Sequence, residues 1–137
     1  MADIFISYSS EDKTRVKTIA EALEQKGWSV WWDRQIPVGQ RFDTVIEQEL
    51  NQAKCVIVIW TQRSVNSEWV KNEASEAAQR NILAPALLEN VKIPLAFRRI
   101  EAAQLTDWKG ETDHPELEIL FNAVTAIING QTITNTV

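Results

Sequence analysis

Four glycines, one cysteine and one histidine in 137 residues leave several chemistries without their raw materials. No G-x-G-x-x-G follows the first apolar run and no G-x-x-x-x-G-K-S/T occurs anywhere, which removes the dinucleotide fingerprint and the phosphate loop. The lone Cys55 lies inside the run Cys55-Val56-Ile57-Val58-Ile59-Trp60. It reads as a small buried hydrophobe, so a disulfide framework is excluded and a reducing cytoplasm is expected. One histidine, His114 beside Pro115, cannot combine with that cysteine into a zinc site or a Cys-His nucleophile pair, and no metal is expected. No G-x-S-x-G elbow is present to give His114 a serine partner. No apolar stretch approaches the ~20 residues of a membrane span, and no signal-peptide pattern opens the chain. Membrane is therefore not an expected partner. Basic charge is short as well: 14 Lys and Arg against 19 Asp and Glu give a net charge of -5, which disfavours a nucleic-acid surface.

What is present suits one globular domain with a proper core, since 45% of the residues are hydrophobic and 24% charged. Residues 3–7, Asp3-Ile4-Phe5-Ile6-Ser7, read as a short buried strand. The polar Tyr8-Ser9-Ser10-Glu11-Asp12 follows, with Ser9 or Ser10 placed to cap a helix marked by Val16, Ile19, Ala20 and Leu23 and ended by Gly27. Ser29 to Trp32 forms a second strand. The six tryptophans are many for this length, and the clustering of Trp28, Trp31 and Trp32 around that strand is hard to explain as core filling. Asp33 to Arg41 is a loop, because Ile36-Pro37-Val38-Gly39 continues neither a ladder nor a helix.

Phe42, Val45, Ile46, Leu50 and Ala53 mark the next helix, and Cys55 to Ile59 the most apolar strand, hence the expected sheet centre. A fourth strand lies within Ile82 to Leu88, where Pro85 argues for an edge position or an interruption. Val91 to Phe97 reads as a loop or a short fifth strand, Ile100 to Asp113 as irregular, and Leu117 to Ile128 as a final helix. The domain is expected to end near residue 130, leaving 131–137 as a polar tail or linker stub. Alternation of buried strands with helices implies a parallel sheet covered on both faces. Ligands then bind beyond the carboxyl ends of the strands. Those ends are Ser7 to Ser10, Trp32 to Arg34 and Trp60 to Asn66, followed by the first turns of the helices, which places Tyr8, Trp32, Asp33 and the start of the helix after the third strand at one rim.

The helix following that third strand, about 67–80, is the most informative. Ser67 stands at its N-cap and Glu68 in its first turn, where negative charge suits the dipole. Residues 70, 74, 77, 78 and 81 share one small-residue face suited to a sheet. Trp69, Glu73, Glu76 and Arg80 form a stripe beside it, so Trp69 and Glu73 are neighbours at the border of core and solvent. A bland reading makes Trp69 packing, Glu73 a solvated carboxylate, and Glu76 with Arg80 an i, i+4 pair. A chemical reading is also open. Most glycosides need two carboxyl groups to be hydrolysed, one of them to protonate the leaving oxygen. The nicotinamide of NAD+ leaves as a neutral molecule from a pyridinium, so no general acid is needed. A single carboxylate that holds the ribose hydroxyls and stabilises the oxocarbenium charge, beside a stacking Trp, suffices.

The motifs Phe5-Ile6-Ser7-Tyr8-Ser9-Ser10-Glu11-Asp12, Gly27-Trp28-Ser29-Val30-Trp31-Trp32-Asp33 with Ile36-Pro37-Val38-Gly39, and Ser67-Glu68-Trp69-Val70-Lys71-Asn72-Glu73 resemble those of a bacterial TIR (Toll/interleukin-1 receptor) domain over about residues 3–129. The resemblance implies a flavodoxin-like α/β three-layer sandwich with a five-stranded parallel sheet. It implies two roles: cleavage of NAD+ to nicotinamide and ADP-ribose or a cyclic isomer, in signalling or defence, and non-enzymatic assembly with other TIR domains. By the same resemblance Glu73 is the catalytic carboxylate. Tyr8, Ser9, Ser10, Trp32, Asp33, Phe42 and Trp69 are expected to contact NAD+, which is a substrate, so no cofactor is expected. Arg34, Ile36, Pro37, Val38 and Gly39 belong to the so-called BB loop, expected to mediate assembly and to complete a neighbouring site. The first loop departs from relatives that carry basic residues there. The pyrophosphate is thus left to helix N-termini, to Arg34 or Arg41, or to water.

Overall fold

The computed structural model describes residues 2–34, 36 and 38–130. Pro37 of the BB loop and the 131–137 tail lie outside the described residues. The elements alternate as expected: β1 (Ile4–Ser7), α1 (Lys13–Gln25), β2 (Val30–Trp31), α2 (Phe42–Gln52), β3 (Cys55–Trp60), α3 (Glu68–Gln79), β4 (Leu83–Leu87), β5 (Ala103–Gln104) and α4 (Pro115–Ile128). The five strands pair in parallel in the order β2-β1-β3-β4-β5, with β3 at the centre. This is the flavodoxin-like three-layer sandwich.

Side-chain alternation along the strands sorts the core into two layers. Ile4, Ile6, Ile57, Ile59 and Ala86 pack with Val16, Ile19 and Leu23 of α1 and Leu117, Leu120 and Val124 of α4. Phe5, Val56, Val58, Trp60 and Leu87 pack with Ile46 and Leu50 of α2 and Val70, Ala74 and Ala77 of α3. Each fully buried large side chain, such as Phe5 or Leu120, stabilises the fold by roughly 1.5–3 kcal/mol relative to exposure. The small residues of α3 let that helix lie close over the strand ends. Ser67 caps it, its Oγ accepting from the Val70 amide at 3.2 Å, and Gly27, at φ +99°, closes α1 in the left-handed conformation that only glycine adopts freely.

Several expectations are corrected. Pro85 sits inside a continuous β4 that pairs on both sides, so the strand is neither an edge nor interrupted. The Ile82 carbonyl bonds toward β3 and the Leu87 carbonyl toward β5, so even-numbered residues face β3 and Pro85 faces the β5 side. There the β4–β5 register begins only at Ala86, and the missing N–H deprives no neighbour. The fifth strand is not within 91–97, which holds a 3-10 turn (Leu95–Phe97), but at Ala103–Gln104 in the stretch read as irregular. Neither Ser9 nor Ser10 caps α1 through its side chain; the Ser9 carbonyl accepts from Asp12 instead. The tryptophans around β2 do pack: Trp31 stacks on Phe5, Trp28 meets Phe121, and Trp32 lies against the α1/α4 layer. Arg80 ignores Glu76 and donates to the carbonyls of Leu50 and Ala53, closing the end of α2.

Candidate active site

Alternation along β1 sends Phe5 and Ser7 to the α3 side of the sheet, and Ser7, at the strand's carboxyl end, is fully buried there. On α3 the buried residues are Val70, Glu73, Ala74 and Ala77. Glu73 thus lies on the inward stripe, not on the border expected from the sequence, and is only 4% exposed. An ionised side chain is placed under a helix only when it is fully partnered, and Glu73 is. Its Oε1 accepts from Ser7 Oγ at 2.7 Å. The Arg34 guanidinium closes on it as a fork, Nη1 donating to Oε2 at 2.9 Å and Nη2 to Oε1 at 3.1 Å.

Arg34 is held in turn. Nη2 also donates to the Ile6 carbonyl at 3.0 Å, and the guanidinium carbon lies 5.0 Å from the Phe5 ring centroid and 5.4 Å from those of Tyr8 and Trp31. Its Nε is buried without a hydrogen-bond partner. The preceding residues are stitched to the first loop: Tyr8 Oη donates to the Trp32 carbonyl at 2.5 Å, and Lys13 pairs with Asp33 at 2.9 Å. Burial pushes the Tyr8 phenol above its ordinary range, an effect opposed by the nearby charges of Arg34 and Lys13. The hydrogen bond and charge of Asp33 hold the Lys13 ammonium above its own.

Trp69, 42% exposed, lines one cavity together with Glu73 and forms its aromatic wall, with the Phe42 ring tilted against it at a centroid distance of 6.0 Å. A cavity opens on each side of the wall. One, of about 410 Å³, is lined by Tyr8, Ser9, Ser10, Lys13, Asp33, Arg34 and Trp69. The other, of about 310 Å³ between α2 and α3, is lined by Asp43, Ile46, Glu47, Trp69, Glu73 and Glu76 among others. The structure therefore brings together Tyr8, Ser9, Ser10, Asp33, Phe42, Trp69 and Glu73. It does not bring the Trp32 side chain, which faces the opposite layer and offers only its carbonyl to the rim. Arg34, expected on an assembly surface, points inward onto Glu73, while Val38 of the same loop is fully exposed. Ile36 packs against the α2/α3 layer, and Gly39 turns at φ +94°. Arg41 pairs with Asp43 in solvent, away from the carboxylate.

The sequence places Ser7 at the strand end on the rim but assigns it no role. The signal was available: Ser7 shares the α3-facing side of β1 with Phe5 and is a hydroxyl where a core residue is expected. Among the described residues no group of His, Cys, Asp or Glu side chains is arranged to hold a metal ion, and burial pushes the Cys55 thiol up to about 12, leaving it inert. Among the described residues no helix is long and apolar enough to cross a membrane.

A carboxylate buried at the strand ends, on the same helix as a half-exposed tryptophan that borders two cavities, defines a class of site rather than a single protein. The family follows from the sequence match: the family model described as TIR domain matches residues 4–121, and the chain belongs to that family. It is 34% identical over 82 residues to the 2' cyclic ADP-D-ribose synthase BtTIR of Bacteroides thetaiotaomicron, covering 58% of this chain and 29% of that protein. It is 31% identical over 90 residues to the NAD(+) hydrolase TcpA of a Theionarchaea archaeon, covering 61% of this chain and 27% of that protein. The chain thus spans less than a third of the length of either relative. The crystal structure of the TIR domain of a Toll-related receptor from Hydra magnipapillata superposes with a TM-score of 0.72 over 94% of this chain and 99% of that one. Its 16% identity carries the fold alone.

Proposed function

We propose that this domain cleaves the nicotinamide–ribose bond of NAD+, with Glu73 as the reacting carboxylate and Trp69 as the wall against which the nicotinamide stacks. The observation that carries the reading is the placement of Glu73: a carboxylate fixed in position at the strand ends, lining one cavity, on the same helix as Trp69, which lines that cavity and a second one. The relatives described as a cyclic ADP-ribose synthase and an NAD+ hydrolase support it. The ribose hydroxyls bind the carboxylate, the pyridinium departs as neutral nicotinamide, and the oxocarbenium charge that develops on the ribose is stabilised by Glu73. Water entering gives ADP-ribose; a nucleophile from the substrate itself gives a cyclic isomer. Pyrophosphate falls to the cavity that holds Ser9, Ser10 and Lys13. NAD+ is a substrate, and no cofactor enters the step.

A second role is favoured by a separate observation. Val38 is fully exposed and Phe42 is 60% exposed, so the BB loop and the start of α2 present apolar surface toward solvent. Docking of that surface on a second TIR domain accounts for it and would couple assembly to turnover. The test is release of nicotinamide from NAD+ by concentrated protein, followed by chromatography, with Glu73→Gln in parallel. Release that requires Glu73 is expected; release that persists in the folded variant rejects the assignment of Glu73.

A further inference from the structure

Two walls of the larger cavity come from different parts of the chain: Ser9, Ser10 and Lys13 from the first loop and the start of α1, and Ser67, Trp69 and Val70 from the first turn of α3. We infer that the buried pair Asp12–Thr61, beneath that cavity's rim, ties these walls together, and that both are positioning residues for Trp69. The inference rests on the reading of Trp69 as the surface on which nicotinamide stacks.

Asp12 breaks a local rule. It stands at the N-cap of α1, where a carboxylate ordinarily accepts from the helix's own amides, yet its side chain caps nothing. It is 5% exposed instead, and its Oδ2 accepts from Thr61 Oγ1 at 2.6 Å, the short length of a charge-assisted bond, across 49 residues of sequence. Arg15 Nη1 lies 3.8 Å from Oδ1 and supplies the opposite charge that burial requires. Arg15 is bound in turn to Glu89, whose Oε1 accepts from the Gln62 amide at 2.7 Å, so a second path holds the same loop to α1. Glu11 and Arg63 also cross the gap, at 2.7 Å, but both side chains are more than half exposed and the pair is worth little.

From Thr61 the tie runs into α3 through consecutive hydrogen bonds. Thr61 Oγ1 also accepts from the Ser64 amide at 3.2 Å, so one hydroxyl serves as donor and acceptor at once. Ser64 Oγ, fully buried, accepts from the Thr61 amide at 2.8 Å and donates to the Ile59 carbonyl at 2.7 Å. The Ser64 carbonyl accepts from the Ser67 amide at 3.0 Å, and Ser67 caps α3 through the Val70 amide. Trp69 stands between Ser67 and Val70, so the backbone of this turn sets where its half-exposed ring lies. Glu73, one turn further on, is held separately by Ser7 of the sheet. The two anchors divide the site: loss of the Asp12–Thr61 tie shifts the stacking surface and leaves the carboxylate in place.

The test uses Thr61→Val, Thr61→Ser, Asp12→Asn and Glu11→Gln in the whole chain, at a temperature where each is folded, with two readouts. The first is steady-state turnover of NAD+. Thr61→Val is expected to raise KM by roughly ten-fold with kcat changed by less than about three-fold, as loss of a binding surface does when the reacting group stays in place. Asp12→Asn, which keeps an acceptor without its charge, falls between Thr61→Val and wild type. Thr61→Ser restores the hydroxyl and with it the wild-type KM. The second readout needs no turnover: the Trp69 indole N–H resonance in a nitrogen–proton NMR spectrum, assigned by its absence from Trp69→Phe. It moves in Thr61→Val and returns in Thr61→Ser, while the Trp28 indole, packed on Phe121 in the other layer, stays put and reports an intact fold. A Trp69 resonance unmoved in both Thr61→Val and Asp12→Asn overturns the inference. So does a loss confined to kcat, or a KM in Glu11→Gln raised as far as in Thr61→Val. If no protein turns over NAD+ while the Trp69 resonance still follows Thr61, the tie stands and the proposed reaction fails.

Discussion

Removing the Glu73 carboxylate is expected to cost stability as well as any activity, contrary to what a border position would allow. Glu73→Ala deletes the acceptor of three hydrogen bonds, one from Ser7 and two from Arg34. It strands the guanidinium over Phe5, Tyr8 and Trp31 with the Ile6 carbonyl as its remaining acceptor. Breaking a buried ion pair from one side costs about 3–5 kcal/mol. Arg34 retains 18% side-chain exposure and can turn toward solvent, which places the cost at the lower end, about 3 kcal/mol. Against a total of about 5–15 kcal/mol for a domain, that is a melting-point drop on the order of 10 °C. The assay is urea unfolding of wild type, Glu73→Ala, Arg34→Ala and the double variant. Removing both partners leaves no stranded charge, so the double variant should lose about 2 kcal/mol less than the two single losses added together. A coupling below about 0.5 kcal/mol, the value of an exposed surface pair, would refute the reasoning.

Three further outcomes are expected. Trp69→Ala should change the ratio of cyclic to hydrolysed product, because the wall that excludes water from the reactive ribose carbon is gone, with about 1 kcal/mol of stability lost with the Phe42 contact; unchanged product ratio and rate, by chromatography, would make Trp69 packing alone. Thr61→Val should destabilise the domain by about 1–3 kcal/mol in urea, since Thr61 Oγ1 donates to the buried Asp12 at 2.6 Å and no hydroxyl replaces it; a loss under about 0.5 kcal/mol would contradict this. Glu89, held below its ordinary 4.5 by the Gln62 amide and Arg15, stabilises the fold above that value and loses the contribution as pH falls through its lower folded-state pKa. Melting curves of Glu89→Gln should therefore lie below wild type at neutral pH and converge with it in acid, and a pH-independent gap would refute the assignment.

The fold was legible where apolar periodicity was long. The alternation of strands and helices, the central position of β3, the Ser67 cap and the Gly27 stop all follow from local patterns. The weakest elements were not. β5 is two residues long, too short for any period, and Pro85 reads as a breaker until the register shows that its nitrogen faces the side where β5 has not begun. The candidate site was legible in the Trp69–Glu73 spacing, yet its electrostatics were not. Arg34 reaches Glu73 across 39 residues of sequence and Ser7 across 66, and neither contact leaves a local pattern. Glu73 falls on the i, i+3, i+4, i+7 stripe of Val70, Ala74 and Ala77, and these long-range partners are what let a carboxylate stay buried there.

The proposed cleavage needs one carboxylate and a leaving group that departs without a proton. NAD+ and NADH offered in parallel to concentrated wild-type protein test this most directly, with Glu73→Gln as the control. The reduced ring of NADH is not a pyridinium and needs protonation to leave. Nicotinamide released from NAD+ alone, and only with Glu73 present, is the predicted result. Comparable cleavage of NADH, or cleavage of NAD+ by folded Glu73→Gln, would contradict the mechanism.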